Sequence, residues 1–165
     1  MSIGCIIQAR MGSVRLPGKV LMMLDEKNPS LYYVITQLQN CKSFNKIIVA
    51  TTDLKDDDKI EEFANSLKIE CFRGSSKDVL DRYYQAATKF SLSTIVRITA
   101  DNPLIDPTLV DDLIGRFNSG NFDYVSNAHI RSFPFGTETE AFSFGALENA
   151  WKNAKTDYER EHLTP

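Results

Sequence analysis

Residues 3–19 read IGCIIQARMGSVRLPGK, and this stretch decides the fold. Its first seven residues are largely apolar and predict a buried strand. A segment with two glycines follows at once, and it carries three cations, Arg10, Arg15 and Lys19. No Asp or Glu precedes position 25, although the whole chain has a formal net charge of −3. A strand that ends in a glycine-rich, cationic loop is typical of a polyphosphate-binding site, because backbone N–H groups and cations can surround the phosphate oxygens.

Short apolar runs rich in β-branched residues alternate with segments of helical period along the rest of the chain. Strands are predicted at residues 3–9, 46–51, 69–72, 94–99, 123–126 and 139–143. Amphipathic helices are predicted around residues 31–38, 60–67, 80–87, 110–117 and 147–154. Pro29 and Pro107 suit first turns of helices, and Asp106 suits a helix cap. The pattern predicts a three-layer α/β/α fold with a mainly parallel sheet.

The composition limits the class of protein. At 165 residues, 42% of them hydrophobic and 25% charged, the chain is expected to form one globular domain, residues 1–165. Because the chain ends directly after a polar helical stretch, we expect this domain to be truncated at its C-terminus. A mildly acidic chain lacks the broad basic face of a nucleic-acid binder, and no segment has the length of a membrane span. The protein is therefore expected to bind neither nucleic acid nor membrane.

The cysteines do not indicate a metal site. Cys5, Cys41 and Cys71 are widely spaced, and neither His129 nor His162 neighbours any of them. We expect reduced thiols in a cytoplasmic protein.

The cationic loop lacks both the Walker A spacing and the G-x-G-x-x-G dinucleotide fingerprint. Its alternative interpretation is a surface loop with solvated cations. Three later segments also follow predicted strands, where open α/β sheets collect ligands: Thr51-Thr52-Asp53, Phe72-Arg73-Gly74 and Thr99-Ala100-Asp101. Each segment also has a structural interpretation without a ligand. The first would be a helix cap, and the third a plain Asn-Pro turn. In the helix that follows the second, Asp81-Arg82 would be an ordinary exposed ion pair.

The sequence QARMGSVRLPGK, residues 8–19, resembles the signature loop of the cytidylyltransferases that make CMP-activated acid sugars. That group includes the acylneuraminate and 3-deoxy-manno-octulosonate enzymes. The glutamine before Ala-Arg, with Arg73-Gly74 and DVLDRYY at residues 78–84, is similar to a subgroup, the spore coat polysaccharide biosynthesis protein F family. The likeness extends from Ile3 to Pro165. It implies a nucleotide-diphospho-sugar transferase fold and the attack of a sugar hydroxyl on the α-phosphorus of CTP, with release of pyrophosphate.

The resemblance also implies roles for individual residues. The expected catalytic residues are Arg15, Lys19 and Asp101. The expected nucleotide-binding residues are Ala9, Arg10, Gly12, Ser13, Arg15, Lys19, Thr52, Asp53, Arg73, Gly74 and Thr99. The expected sugar-binding residues are Glu138, Glu140 and His162, although a half-solvated strand and a structural histidine are equally open interpretations. Mg²⁺ is the expected cofactor. In the family a Gly-Asp-Glu-Pro segment supplies a metal carboxylate, and the corresponding segment here is Ala-Asp-Asn-Pro. The resemblance therefore implies Asp101 alone as the metal ligand. The family's second carboxylate lies further along the chain than residue 165.

The resulting hypothesis is a cytoplasmic cytidylyltransferase that transfers CMP from CTP to an acidic sugar of the 2-keto acid type, for surface polysaccharide biosynthesis. Its partners would be CTP and a small sugar, and a homodimer is left open. Two alternatives remain. One is a nucleotide-sugar-dependent glycosyltransferase, for which Asp56-Asp57-Asp58 has the Asp-x-Asp spacing but better suits a helix start. The other is a catalytically inactive nucleotide-binding domain.

Overall fold

The computed structural model describes residues 2–129 and 133–164, which build a six-stranded sheet between helices. The strands are β1 Ile3–Gln8, β2 Lys46–Thr52, β3 Glu70–Gly74, β4 Thr94–Thr99, β5 Tyr124–Ser126 and β6 Glu140–Ser143. The helices are α1 Ser30–Leu38, α2 Asp58–Ser66, α3 Val79–Lys89, α4 Pro107–Asn118, α5 Phe144–Asn153 and α6 Asp157–His162. Two short 3₁₀ turns, Lys19–Leu21 and Lys55–Asp57, precede α1 and α2. None of the helices within the described ranges is long and apolar enough to cross a membrane.

The sheet order is β3-β2-β1-β4-β6-β5. The first four strands in that order run parallel, whereas β6 is antiparallel to both β4 and β5. The predicted mainly parallel sheet is therefore confirmed. Parallel strands end at the same edge of a sheet, so the chain leaves β1, β2, β3 and β4 on one side of the molecule, where ligands collect in open α/β folds.

Two apolar cores cover the two faces of the sheet, because successive side chains of a strand point to opposite faces. Cys5 and Ile7 of β1 pack with α1, α2 and α4, whereas Ile6 packs with α3 and α5. Central strands buried on both faces read as continuous apolar runs, as residues 3–7 do. The three-layer arrangement predicted from the sequence is confirmed.

The ends of the helices follow local capping chemistry. Pro107 occupies the first turn of α4, and the Asp106 carboxylate accepts hydrogen bonds from the backbone N–H groups of Thr108 at 2.7 Å and Leu109 at 3.3 Å, as predicted. The prediction for Pro29 was wrong by one position. It is the residue before α1, in extended conformation, and the helix begins at Ser30.

All three cysteines are free thiols, as expected. Cys5 is fully buried, whereas Cys41 and Cys71 are partly buried. Burial, assisted by nearby carboxylates, raises the pKa of Cys41 to about 12 and that of Cys71 to about 11. These thiols are therefore protonated and unreactive near neutral pH.

Candidate active site

A polar cleft of about 260 Å³ lies where β1 and β4 end. Ten residues line it, and they come from the end of β1, the loop after it and the end of β4: Gln8, Arg10, Ser13, Val14, Arg15, Lys19, Val20, Thr99, Ala100 and Asp101. The structure thus brings five of the expected nucleotide-binding residues into one place, together with Asp101, the expected metal ligand. All three cations of the loop are among them, which gives the cleft the charge that a polyphosphate requires.

The loop after β1 is folded around one carbonyl group. The Met11 carbonyl accepts hydrogen bonds from the backbone N–H groups of Ser13 and Gly18, both at 2.8 Å. Gly18 has a φ of +72°, a left-handed conformation that a residue with a Cβ adopts only at a cost. This turn starts the 3₁₀ segment at Lys19 and places its ammonium group opposite β4.

Asp57 anchors the loop after β1 to the end of β2, a role that the sequence analysis did not identify. Its side chain is almost fully buried and accepts hydrogen bonds from the Met11 N–H at 2.7 Å, the Thr52 N–H at 3.2 Å and the Thr52 hydroxyl. The carboxylate therefore joins the end of β2 to the first turn of the cationic loop. An Asp-rich helix start was recognised in the sequence, but nothing in its pattern showed which carboxylate turns inward.

The Lys19 ammonium donates to the Asp101 carboxylate across the cleft. Burial by itself would raise the pKa of Asp101, but hydrogen bonds from Lys19 and Thr99, together with the charge of Lys19, outweigh it and lower the pKa. Asp101 is thus held ionised beside the cations, in the protonation state that a metal ligand needs.

Among the described residues, no group of three His, Cys, Asp or Glu side chains could hold a metal ion by itself. Mg²⁺, however, usually takes one or two carboxylates and completes its shell with water and substrate phosphates. Asp101, a solvent-accessible carboxylate at a cationic cleft, fits that mode of binding if the ion arrives with a polyphosphate. The Asp101 carboxylate would then have to give up its contact with the Lys19 ammonium and bind the ion instead.

Four expected nucleotide-binding residues lie at the ends of β2 and β3 and do not line the cleft: Thr52, Asp53, Arg73 and Gly74. Arg73 is committed to the protein, since it donates to the Thr52 carbonyl and forms ion pairs of 2.8 Å with Asp58 and Glu61. The Asp53 N–H donates to the Gly74 carbonyl at 2.8 Å. Asp53 does not cap α2, whose cap position is Asp57.

The remaining residues of the expected nucleotide-binding set belong to the loop itself. Ala9 is buried beneath it, and its N–H donates to the Ala50 carbonyl of β2 at 3.1 Å. Gly12 is exposed, and apart from its two chain neighbours no described residue has an atom within 4 Å of the place where a Cβ would stand. Ala9 therefore supports the loop, while Gly12 leaves its backbone open to a ligand.

The interpretation of Asp81-Arg82 as an exposed helix pair was wrong. Arg82 is fully buried, and among the described residues only one of its guanidinium nitrogens, Nη1, has an acceptor, the Ser75 carbonyl at 2.8 Å. The Asp81 carboxylate instead accepts from the Trp151 indole at 2.9 Å. Tyr83, the next residue of α3, is also fully buried and belongs to the core on that face of the sheet.

A second cavity, of about 340 Å³, adjoins the first at Thr99 and Asp101. Glu138 and Glu140, both expected to bind the sugar, line it together with Arg97. Glu140 forms an ion pair of 2.9 Å with Arg97, and the Thr164 hydroxyl contacts both side chains. Burial tends to lower the pKa of Arg97, but Tyr83 and the Glu140 charge outweigh it and raise the pKa.

His162 does not join either cavity. It is exposed on α6, where its ring lies 4.5 Å from that of Tyr158.

Glu138 accepts a hydrogen bond from the Gly136 N–H at 2.7 Å, at a turn in which Gly136 has a φ of +93°. Of the three expected sugar contacts, the structure therefore brings two to the cavity beside Asp101.

The fold and the cleft define a class of protein, an α/β domain that places a cationic loop and a carboxylate at the edge of a parallel sheet. Comparison with known families then identifies it. The cytidylyltransferase family model matches residues 4–165 of this chain. The chain belongs to the cytidylyltransferase family.

Relatives and solved structures agree with this assignment. An uncharacterized protein of Methanocaldococcus jannaschii is 49% identical over 165 residues, which is 100% of this chain and 66% of that protein. The spore coat polysaccharide biosynthesis protein SpsF of Bacillus subtilis is 36% identical over 96% of this chain and 67% of its own length. A 3-deoxy-manno-octulosonate cytidylyltransferase of Lawsonia intracellularis is 35% identical over 68% of this chain and 44% of its own length.

The structure of a cytidylyltransferase from Leptospira borgpetersenii superimposes with a TM-score of 0.95 at 36% identity, over 100% of this chain and 70% of that chain. The chain thus spans about two thirds of the length of two of these relatives and less than half of the third.

Proposed function

We propose that this protein transfers CMP from CTP to an acidic sugar of the 2-keto acid type and releases pyrophosphate. The observation that carries the proposal is the cleft in which Arg10, Arg15 and Lys19 converge beside Asp101. The family assignment and the 3-deoxy-manno-octulosonate relative support the nucleotide and the acidic sugar, respectively. The resemblance to the spore coat protein supports a role in surface polysaccharide biosynthesis, in the cytoplasm.

In this proposal the loop after β1 holds the triphosphate. Lys19 and Arg15 neutralise the β- and γ-phosphates, whose negative charge increases as pyrophosphate leaves. The backbone around Gly12 approaches the phosphates closely because no side chain intervenes. Since the nucleophile belongs to the sugar, the protein contributes position and charge rather than a covalent intermediate.

Asp101 would hold Mg²⁺ together with the phosphates of CTP, and the ion would neutralise charge on the phosphate oxygens. Thr99, which lines the cleft with Asp101, helps to keep the pKa of that carboxyl low. Lys19, released from Asp101, would then be free to bind phosphate.

The cavity beside Asp101 is the proposed place for the acceptor sugar. It adjoins the phosphate cleft through Thr99 and Asp101, so that a hydroxyl bound there lies next to the α-phosphate. Glu138 and Glu140 offer acceptors for sugar hydroxyls, and Arg97 offers a cation for a sugar carboxylate. The Arg97–Glu140 pair would hold both groups in place.

The structure weighs against the glycosyltransferase alternative. Its Asp-x-Asp candidate, Asp56-Asp57-Asp58, lies at the start of α2 rather than at a strand end. The central carboxylate is buried against Thr52 and Met11, while Asp58 is paired with Arg73. Two of the three carboxylates are therefore bonded to other parts of the protein, which does not suit a nucleotide-sugar-binding Asp-x-Asp.

The activity test is pyrophosphate release from CTP and Mg²⁺ with a panel of 2-keto sugar acids and their neutral analogues. Release that depends on a keto acid and on CTP supports the proposal. Binding of CTP with no release from any acceptor would favour the inactive nucleotide-binding domain. Release of a nucleoside diphosphate from a nucleotide-sugar would favour the glycosyltransferase.

A further inference from the structure

Arg82 presents two buried donors that no protein atom satisfies. The residue is 0% exposed, and its Nη1 donates to the Ser75 carbonyl at 2.8 Å. Its Nε and Nη2 are buried and have no acceptor among the described residues. These two nitrogens form one edge of the planar guanidinium group, and their N–H bonds point in the same direction. This edge of the guanidinium group can donate two parallel hydrogen bonds to a pair of adjacent acceptors.

The charge of Arg82 is also left without a direct partner in the part of the chain that the structure describes. Burial lowers the pKa of Arg82 and the positive Arg10 lowers it further, whereas Tyr83, Asp57 and Asp53 oppose this without reversing it. Buried guanidinium groups are costly unless they are paired and hydrogen-bonded. A ligand that supplied acceptors here would therefore remove an existing penalty.

The end of β3 is shaped around this side chain. A Cβ on Gly74 would stand 3.1 Å from the Arg82 Cγ and 2.9 Å from the Phe72 ring. The glycine thus lets Arg82 lie against the end of the strand, beside the loop that holds Arg10. The triphosphate cleft opens between β1 and β4, whereas Arg82 lies on the other side of β1, where the β3–α3 connection begins.

We propose that Arg82 selects the cytosine base, with Nε–H and Nη2–H donating to its O2 and N3 atoms. This inference rests on the proposed function and specifies how the nucleotide is recognised. Cytosine presents O2 and N3 as adjacent acceptors, which match the free edge of the guanidinium group. Uracil has the same shape but carries a hydrogen on N3, so one donor would face another donor and the base is rejected.

Access to this edge requires a movement of the chain, because protein atoms cover both donors. The connection from Gly74 to Lys77 is the segment to move, since Arg82 holds it through the Ser75 carbonyl. Binding of the correct base would then be coupled to the position of this connection.

The test compares CTP and UTP affinity by calorimetry, in the presence of Mg²⁺, for wild type and Arg82→Lys. Lysine keeps the charge but loses the parallel pair of donors. We expect wild type to prefer CTP, and Arg82→Lys to lower the CTP-to-UTP affinity ratio about 10-fold or more, with tripolyphosphate affinity unchanged. The matched control is Arg160→Lys, since Arg160 also lies against α3 but has partners within the protein, the Trp151 and Ala154 carbonyls and the Asp78 carboxylate. It should leave the ratio unchanged.

A ligand-side measurement covers the case in which Arg82→Lys does not fold. A CTP analogue with C–H in place of N3 should bind wild type about 10-fold more weakly than CTP. Equal binding of the analogue and CTP, or an unchanged ratio in folded Arg82→Lys, would overturn the role of Arg82 while leaving the cytidylyltransferase proposal intact. Wild type that binds CTP and UTP equally would overturn both.

Discussion

Replacement of Asp57 by Asn should loosen the cationic loop without touching the nucleotide. The Asp57 carboxylate accepts from Met11 and Thr52 backbone N–H groups and from the Thr52 hydroxyl. With Asn, one oxygen can still serve Met11, but an NH₂ group then faces the Thr52 N–H. One buried donor is left unpaired and one charge-assisted bond becomes neutral, which together cost about 2–3 kcal/mol of unfolding free energy.

The assay has two readouts, urea unfolding and calorimetric CTP binding. We expect Asp57→Asn to lower the unfolding free energy by about 2–3 kcal/mol and CTP affinity by about 10-fold, because the loop must be ordered again on binding. The matched control is Asp56→Asn, an exposed neighbour, which should change stability by no more than about 0.5 kcal/mol. Wild-type CTP affinity in a folded Asp57→Asn protein would refute the positioning role.

Three further predictions concern stability and reactivity. Arg97→Met should lower the unfolding free energy by about 3 kcal/mol in urea titrations, because Glu140, whose side chain is 16% exposed, loses its partner; an added Glu140→Gln should restore part of the loss. Gly18→Ala should cost about 1–2 kcal/mol in the same assay because of its φ of +72°, and a wild-type midpoint would contradict that conformation. Cys71, with a pKa of about 11, should react with a thiol reagent near pH 8 at least about 100-fold more slowly than an unfolded-chain cysteine, and equal rates would disprove the raised pKa.

The strands and the cationic loop at the edge of the sheet could be predicted because their signals are local. The run at residues 3–7 is apolar on both faces, and the loop after it combines glycines with cations and no acid. Such patterns determine which segments enter the sheet and which remain at its edge. Arg15, Lys19 and Asp101 consequently lie together in the cleft, as expected.

The direction of charged side chains could not be predicted in the same way. Asp57 and Arg82 are flanked by other charged or polar residues, and each turns inward only because of where α2 and α3 pack on the sheet. Arg73 shows the opposite outcome, since the neighbouring α2 supplies two carboxylates that hold it away from the cleft. Pairings between residues distant in sequence decide these cases, and a single sequence does not encode them as a spacing.

Calorimetric titration of CTP with Mg²⁺ into wild type, Lys19→Ala and Arg15→Ala tests the central claim most directly. Lys42→Ala, which removes an exposed lysine of the α1–β2 connection, is the control. The proposal predicts CTP binding by wild type and the control, and a loss of about 10-fold or more, or about 1.4 kcal/mol, in each loop variant. Equal CTP affinity in all four proteins would show that the loop after β1 does not hold the triphosphate, and would contradict the assignment of this cleft as the active site.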